Sequence, residues 1–219
     1  MKKIFSLLFV TFFLFSCYPG GDVSVSDLDT VTTFYESSSF NPAPNSVIIY
    51  WNVSQILGDD GNDLPYDEEV DDEILNTTLN KLVALYGESN VYIYSSSETP
   101  SPAPSNPNVT IITPNDAVPN VDASLIPSII LRENTNVSII YPPCLPDWWY
   151  WYCYPPYVDI SSYSSGTVVL QLMDLRQGLD NPETAWTAYI KAVLSSQSSN
   201  SSRTVSGINQ AFNQSPYLN

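Results

Sequence analysis

The chain has 219 residues, 43% of them hydrophobic and only 14% charged, which is one domain's worth of sequence with enough apolar content for a core. Seven Lys and Arg against 23 Asp and Glu give a net charge of −16, which argues against a nucleic-acid partner because phosphate neutralisation dominates that affinity. Histidine is absent, so Ser-His-Asp triads, His-based zinc sites and His acid–base catalysis are excluded.

Met1-Lys2-Lys3 precedes thirteen nearly all-apolar residues, Ile4 to Ser16, which read as a signal peptide. A membrane-spanning helix needs roughly 20 apolar residues, and no later stretch comes close. The run ends Leu14-Phe15-Ser16-Cys17, in the manner of a bacterial lipobox. A small residue before the cysteine suits a peptidase that reads its site by size, and the Cys17 thiolate would carry the lipid. The predicted organisation is a lipoprotein signal peptide over 1–16, a lipidated tether over 17–25 and a single domain over 26–219. So acidic a chain gains nothing from anionic headgroups, and its membrane attachment would come from lipid on Cys17.

Val31 to Tyr35 and Val47 to Trp51 read as strands, separated by the punctuation Asn41-Pro-Ala-Pro-Asn45. Nine carboxylates then fall between Asp59 and Glu73. Their order does not fit an EF-hand, since the glycines of Gly58-Asp-Asp-Gly61 are misplaced. No metal site is expected there. Val70, Ile74, Leu75, Leu79, Leu82 and Val83 recur at three and four, so the block reads as the solvated start of an amphipathic helix over 65–86 that ends at Gly87.

Asn90 to Ser95 follows as a strand, and Glu98 to Pro107, with four prolines, as a loop. Val109 to Thr113 and Ile126 to Leu131 are short apolar runs bounded or interrupted by proline, read as strands or edge segments. Asn136 to Tyr141 leads into the aromatic and proline-rich insertion 141–157, which holds three of the five tryptophans between two Pro-Pro pairs. Trp148, Trp149, Trp151 and Tyr154 are candidate binding residues, because exposed Trp and Tyr offer rigid area with a polar edge. The other reading is an aromatic lid folded over the domain's own core. Cys144 and Cys153 flank the aromatics and are a candidate disulfide worth about 2–3 kcal/mol; the alternative is two free thiols. Asp159 to Tyr163, Gly166 to Asp174 and Thr184 to Leu194 read as antiparallel strands, the last with Trp186, Ala188, Ile190, Ala192 and Leu194 on one face. The polar stretch 195–202 would precede a short helix over about 202–213. Asp174, at a strand end, is the one weak catalytic candidate, against its reading as a turn residue that caps the strand.

The segment Asp27-Leu-Asp-Thr-Val-Thr-Thr33, the aromatic run before Ser162-Tyr-Ser-Ser-Gly-Thr-Val168, the strand ending Met173-Asp174, the Trp186 strand and the closing Ile208-Asn-Gln-Ala-Phe-Asn-Gln-Ser-Pro-Tyr-Leu218 together resemble the domain-of-unknown-function family 4136. The resemblance implies a bacterial envelope lipoprotein, favours the outer membrane, and brings no catalytic residues. The fold expected is α+β: a mainly antiparallel sheet with one long and one short C-terminal helix on one face. The function expected is a non-enzymatic binding or assembly module, without cofactor, anchored in the outer membrane and facing the periplasm or the cell surface. Its partner would be another envelope protein. The alternative is a glycan-binding lipoprotein that stacks sugars on residues 148–154.

Overall fold

The computed structural model describes residues 29–40, 42–56, 69–140, 145–146, 151–152, 157–178, 182–194 and 196–218. The signal peptide, Cys17, the acidic block 57–68, Cys144, Cys153, Trp148, Trp149 and Tyr154 lie outside the described residues. Alternating and β-branched segments form strands β1 (Thr30–Tyr35), β2 (Val47–Tyr50), β3 (Ser54–Ile56), β4 (Val91–Tyr94), β5 (Thr110–Ile112), β6 (Ala123–Ile140), β7 (Leu145–Pro146), β8 (Trp151–Tyr152), β9 (Tyr157–Asp174) and β10 (Glu183–Val193). Two helices, α1 (Glu69–Tyr86) and α2 (Gln197–Asn213), complete the regular structure.

Eight strands make one sheet in the order β1-β10-β9-β6-β2-β4-β5, with β3 also paired to β6. The long ladders, β1 with β10, β10 with β9 and β9 with β6, are antiparallel. The short ladders that join β2 to β4 and β6, and β4 to β5, are parallel. Parallel neighbours need a crossover, and α1 supplies it between β2 and β4. The protein is a single α+β domain, with its helices packed on each other and on one face of the sheet.

That face is the core. Val47, Ile49, Leu125, Leu170, Leu172 and Trp186 point inward from the strands and meet Ile74, Leu79 and Leu82 of α1 and Ile208, Ala211 and Phe212 of α2, all buried. Trp186 is 1% exposed and donates its indole N–H to Ser215 Oγ at 3.0 Å, so its one polar atom is satisfied inside the core. Gly207 of α2 lies against Ile190, and a Cβ there would overlap the Ile190 Cγ2 methyl. The absence of a side chain is what lets the helix settle on β10. On the opposite face Ile48, Ile112 and Val121 form a small cluster, and Phe34 and Tyr50 stay exposed beside Tyr189 and Tyr94.

Several bounds differ from the sequence expectation. The run 126–131 and residues 136–140 are parts of one 18-residue strand, and so are 159–163 and 166–174 of another, because each residue of β6 finds a backbone partner on β9 whatever its side chain. Pro127 is therefore interior to the sheet and not on an edge. It lies where β2 has ended at its Leu125 partner and β3 has not begun at its Ser128 partner, so no ladder bond is lost on that side. Helix α2 begins at Gln197, five residues before the expected start, with Ser196 extended at the N-cap. Packing of its Gly207, Ile208 and Phe212 face carries the serine-rich first turns, which have little intrinsic helix preference. The loop over 98–107 is clasped to the body: Pro102 O accepts the Trp51 indole N–H at 2.7 Å, and Asn76 Oδ1 accepts the Ser105 N–H at 2.7 Å.

Candidate functional site

Three features outside the core packing bear on function. The first is a two-stranded arm. From Glu133 to Ile140 and from Tyr157 to Ser164 the strands β6 and β9 pair, among the described residues, only with each other, apart from Leu194 N–H donating to Ser164 O at the base. Eight residues of antiparallel strand span roughly 27 Å. The register is constant throughout: Ala123 faces Asp174 at one end and Ile140 faces Tyr157 at the other. Beyond that, Leu145 faces Tyr152 and Pro146 faces Trp151, which is the same register resumed after four residues on each side. The aromatic insertion thus joins the two strands at the far end of the arm. Of the candidate binding residues, Trp151 is in strand β8; Trp148, Trp149 and Tyr154 lie outside the described residues, as do Cys144 and Cys153.

The second feature is a charged clasp at the opposite end of β9. Asp174, whose side chain is 7% exposed, accepts from Arg176 Nε at 2.9 Å and Nη2 at 2.6 Å, and from the Arg176 backbone N–H at 3.0 Å. The same guanidinium donates to Pro42 O and Ser39 O, each at 2.6 Å. Hydrogen bonds from Arg176 hold the Asp174 carboxyl below its ordinary value despite partial burial, and the Arg176 pKa is raised in turn. A carboxylate that accepts at both oxygens and stays ionised is a poor proton donor or acceptor. Its geometry serves to tie the β1–β2 connection to the end of β9, as the turn-residue reading expects.

The third feature is a pocket of about 300 Å³ between α2 and the sheet. Its floor is aliphatic, from Ile129 and Leu131 of β6, Val168 of β9 and Ile190 of β10, with Val70 of α1 at the side. Gly166 lies in that floor, where a Cβ would stand 3.0 Å from Leu194 Cδ2 and 3.7 Å from Leu131 Cδ2. Across the opening, Arg203 of α2 donates Nε to Asp29 Oδ2 at 2.7 Å and Nη2 to Asp29 Oδ1. Asn200, Thr204, Ser206 and Gln210 complete the polar side. Sequence reasoning missed this site. Its members are scattered from Asp29 to Gln210 over six elements, and the only local signal was a pair of glycines, Gly166 within a strand and Gly207 within a helix. Among the described residues no group of three or more acidic or cysteine side chains is gathered as a metal site. Nor is any described helix long and apolar enough to cross a membrane.

No family model matches the chain, and no curated protein does. Among solved structures it is similar to the PelC dodecamer from Paraburkholderia phytofirmans in two crystal forms, at 14% identity and TM-scores of 0.40 and 0.39, over 87% of this chain and 97% of that one. A PDZ domain protein from Parabacteroides distasonis is similar at 11% identity and a TM-score of 0.40, over 87% of this chain and 37% of that one.

Proposed function

We propose that the protein is a lipid-anchored lipoprotein of the bacterial outer membrane, of the kind its resemblance to family 4136 implies, and that it acts as a binding or assembly module for another envelope component and not as an enzyme. The observation that carries this is the arm. A ribbon of two strands is at best marginally stable in water on its own, yet here it continues the central ladder of the sheet past the core and ends in the most aromatic segment of the chain. A segment rich in Trp and Tyr that joins the two strands of such an arm suits a partner, because those side chains offer large rigid area with a polar edge. Lipid on Cys17 would tether the body through the tether that precedes β1, leaving the arm to reach a partner protein.

The test is a fourfold substitution of Trp148, Trp149, Trp151 and Tyr154 by Ala in the full chain, read by native electrophoresis of solubilised membranes and by thermal unfolding. Loss of a high-mass assembly with an unchanged Tm supports the reading. A lowered Tm means that the aromatics belong to the domain's own packing, and overturns it. A saturable fluorescence response of the unsubstituted domain to envelope polysaccharides, abolished by the same substitutions, replaces the protein partner with a glycan. Mass spectrometry of the mature N-terminus reports lipid on Cys17 separately.

A further inference from the structure

The pocket under α2 lies at the base of the arm, where Leu131 pairs with Gly166, and nothing in the proposed module accounts for it. Its chemistry is specific in three respects. The volume of about 300 Å³ falls at the lower edge of the range for small-ligand sites. The floor is built of Val, Ile, Leu and Ala side chains and a glycine, and no aromatic ring is among the described lining residues, so there is no platform on which a sugar or a planar base could stack. The only charged groups in the described lining are Asp29 and Arg203, which neutralise each other through two hydrogen bonds. A ligand with a free charge therefore finds no uncompensated counter-charge.

We infer that this pocket takes a single medium-length acyl chain whose head bears hydroxyl or amide groups and no net charge. The chain lies along the aliphatic floor between β6, β9 and β10. The head meets Thr204 and Gln210 beside the Asp29–Arg203 pair. Gly166 fits this use, because any side chain there would meet Leu194 and Leu131 and raise the floor. A cavity of about 150 Å³ holds the six carbons of benzene, so one twice that size takes roughly ten chain carbons. The inference stands whether or not Cys17 carries lipid. The chain could come from a free amphiphile or from the protein's own anchor, since β1, which borders the pocket, begins thirteen positions after Cys17.

The experiment uses residues 18–219, which retain every described element, titrated calorimetrically with 1-monoacylglycerols of six to sixteen carbons. The expected result is saturable binding that tightens about fourfold per added methylene and levels off near ten carbons. Ala192→Phe and Thr204→Leu, each at a partly exposed position of the lining, should weaken binding of the ten-carbon compound at least tenfold while Tm is kept. The Trp148, Trp149 and Trp151 triple alanine variant should bind as the wild type does. Absence of saturable binding by the folded domain overturns the inference, as does binding that the pocket substitutions leave unchanged or that the triple variant loses. The same titration on the full chain extracted from membranes assigns the source: suppressed binding points to the chain's own lipid, and equal binding to a free amphiphile.

Discussion

Replacement of Arg176 by Ala tests the clasp at the end of β9. The substitution removes four side-chain hydrogen bonds at once: it leaves Asp174, 7% exposed, as a carboxylate without its cation, and frees the Ser39 and Pro42 carbonyls. Breaking one side of a buried ion pair costs about 3–5 kcal/mol. The Arg176 side chain is itself 26% exposed, so water enters the gap and the lower end of that range, about 3 kcal/mol, is expected. Arg176→Lys keeps the charge but loses the planar fork, and should cost about 1–2 kcal/mol. The sign with pH follows from the depressed Asp174 pKa. A carboxyl lowered in the folded state stabilises fully above its unfolded value and progressively less as pH falls toward the folded one. The gap between wild type and Arg176→Ala should therefore be widest at pH 7 and narrow below about pH 4. Urea unfolding at pH 7 and pH 3, followed by tryptophan fluorescence, measures both. A loss under about 1 kcal/mol at pH 7, or an equal loss at the two pH values, would refute the reasoning.

Gly207→Ala drives a methyl into the Ile190 side chain, and is expected to lower stability by about 1–3 kcal/mol through overpacking; pairing it with Ile190→Ala, which removes the overlapping Cγ2 methyl, should cost less than the sum of the two single substitutions in the same unfolding assay. Tyr86, whose hydroxyl donates to Leu218 O at 3.1 Å, has its pKa pushed up to about 12 by burial. Its raised folded value means a contribution that is whole below about pH 10 and is lost as pH rises through the folded value, so the stability deficit of Tyr86→Phe relative to wild type should be largest near neutral pH and shrink as pH rises beyond about 10, with ultraviolet titration following the phenolate. Cys144 directly precedes Leu145 and Cys153 directly follows Tyr152 in the sequence, and Leu145 pairs with Tyr152 in the register of the long ladder. If the two cysteines form the disulfide expected from the sequence, peptide mapping without reduction should find them linked; recovery of both as free thiols from protein folded under oxidising conditions rejects that pairing.

The sequence was most legible where side-chain pattern and backbone agreed. Val47 to Tyr50 and Val91 to Tyr94 are short, apolar and β-branched, and α1 repeats its apolar residues at helical spacing, so both kinds of element were evident before any coordinates. The 18-residue strands were not. Polar stretches such as Ser161 to Ser165, and Pro127, interrupt the pattern, while the ladder that binds them is made of backbone groups that carry no sequence signal. Helix α2 shows the same limit, since its first turns are mostly serine and their conformation follows from the packing of later residues. Parallel pairing of β2 with β4 and β6 was also hidden, because strand direction is set by connections and not by composition. The pocket assembles from chain segments almost the full length of the domain apart, and no local window contains it.

The pairing of β1 with β10 has a consequence for how the molecule comes into being. Thr30 faces Lys191, and Asp29 bonds Arg203 across 174 positions. The first strand to leave the ribosome thus waits for nearly the last residues before it can be hydrogen-bonded, and contacts so distant in sequence slow folding. A chain arranged this way cannot complete its sheet until β10 and α2 have been synthesised, so the edge strand β1 is among the last elements to be paired.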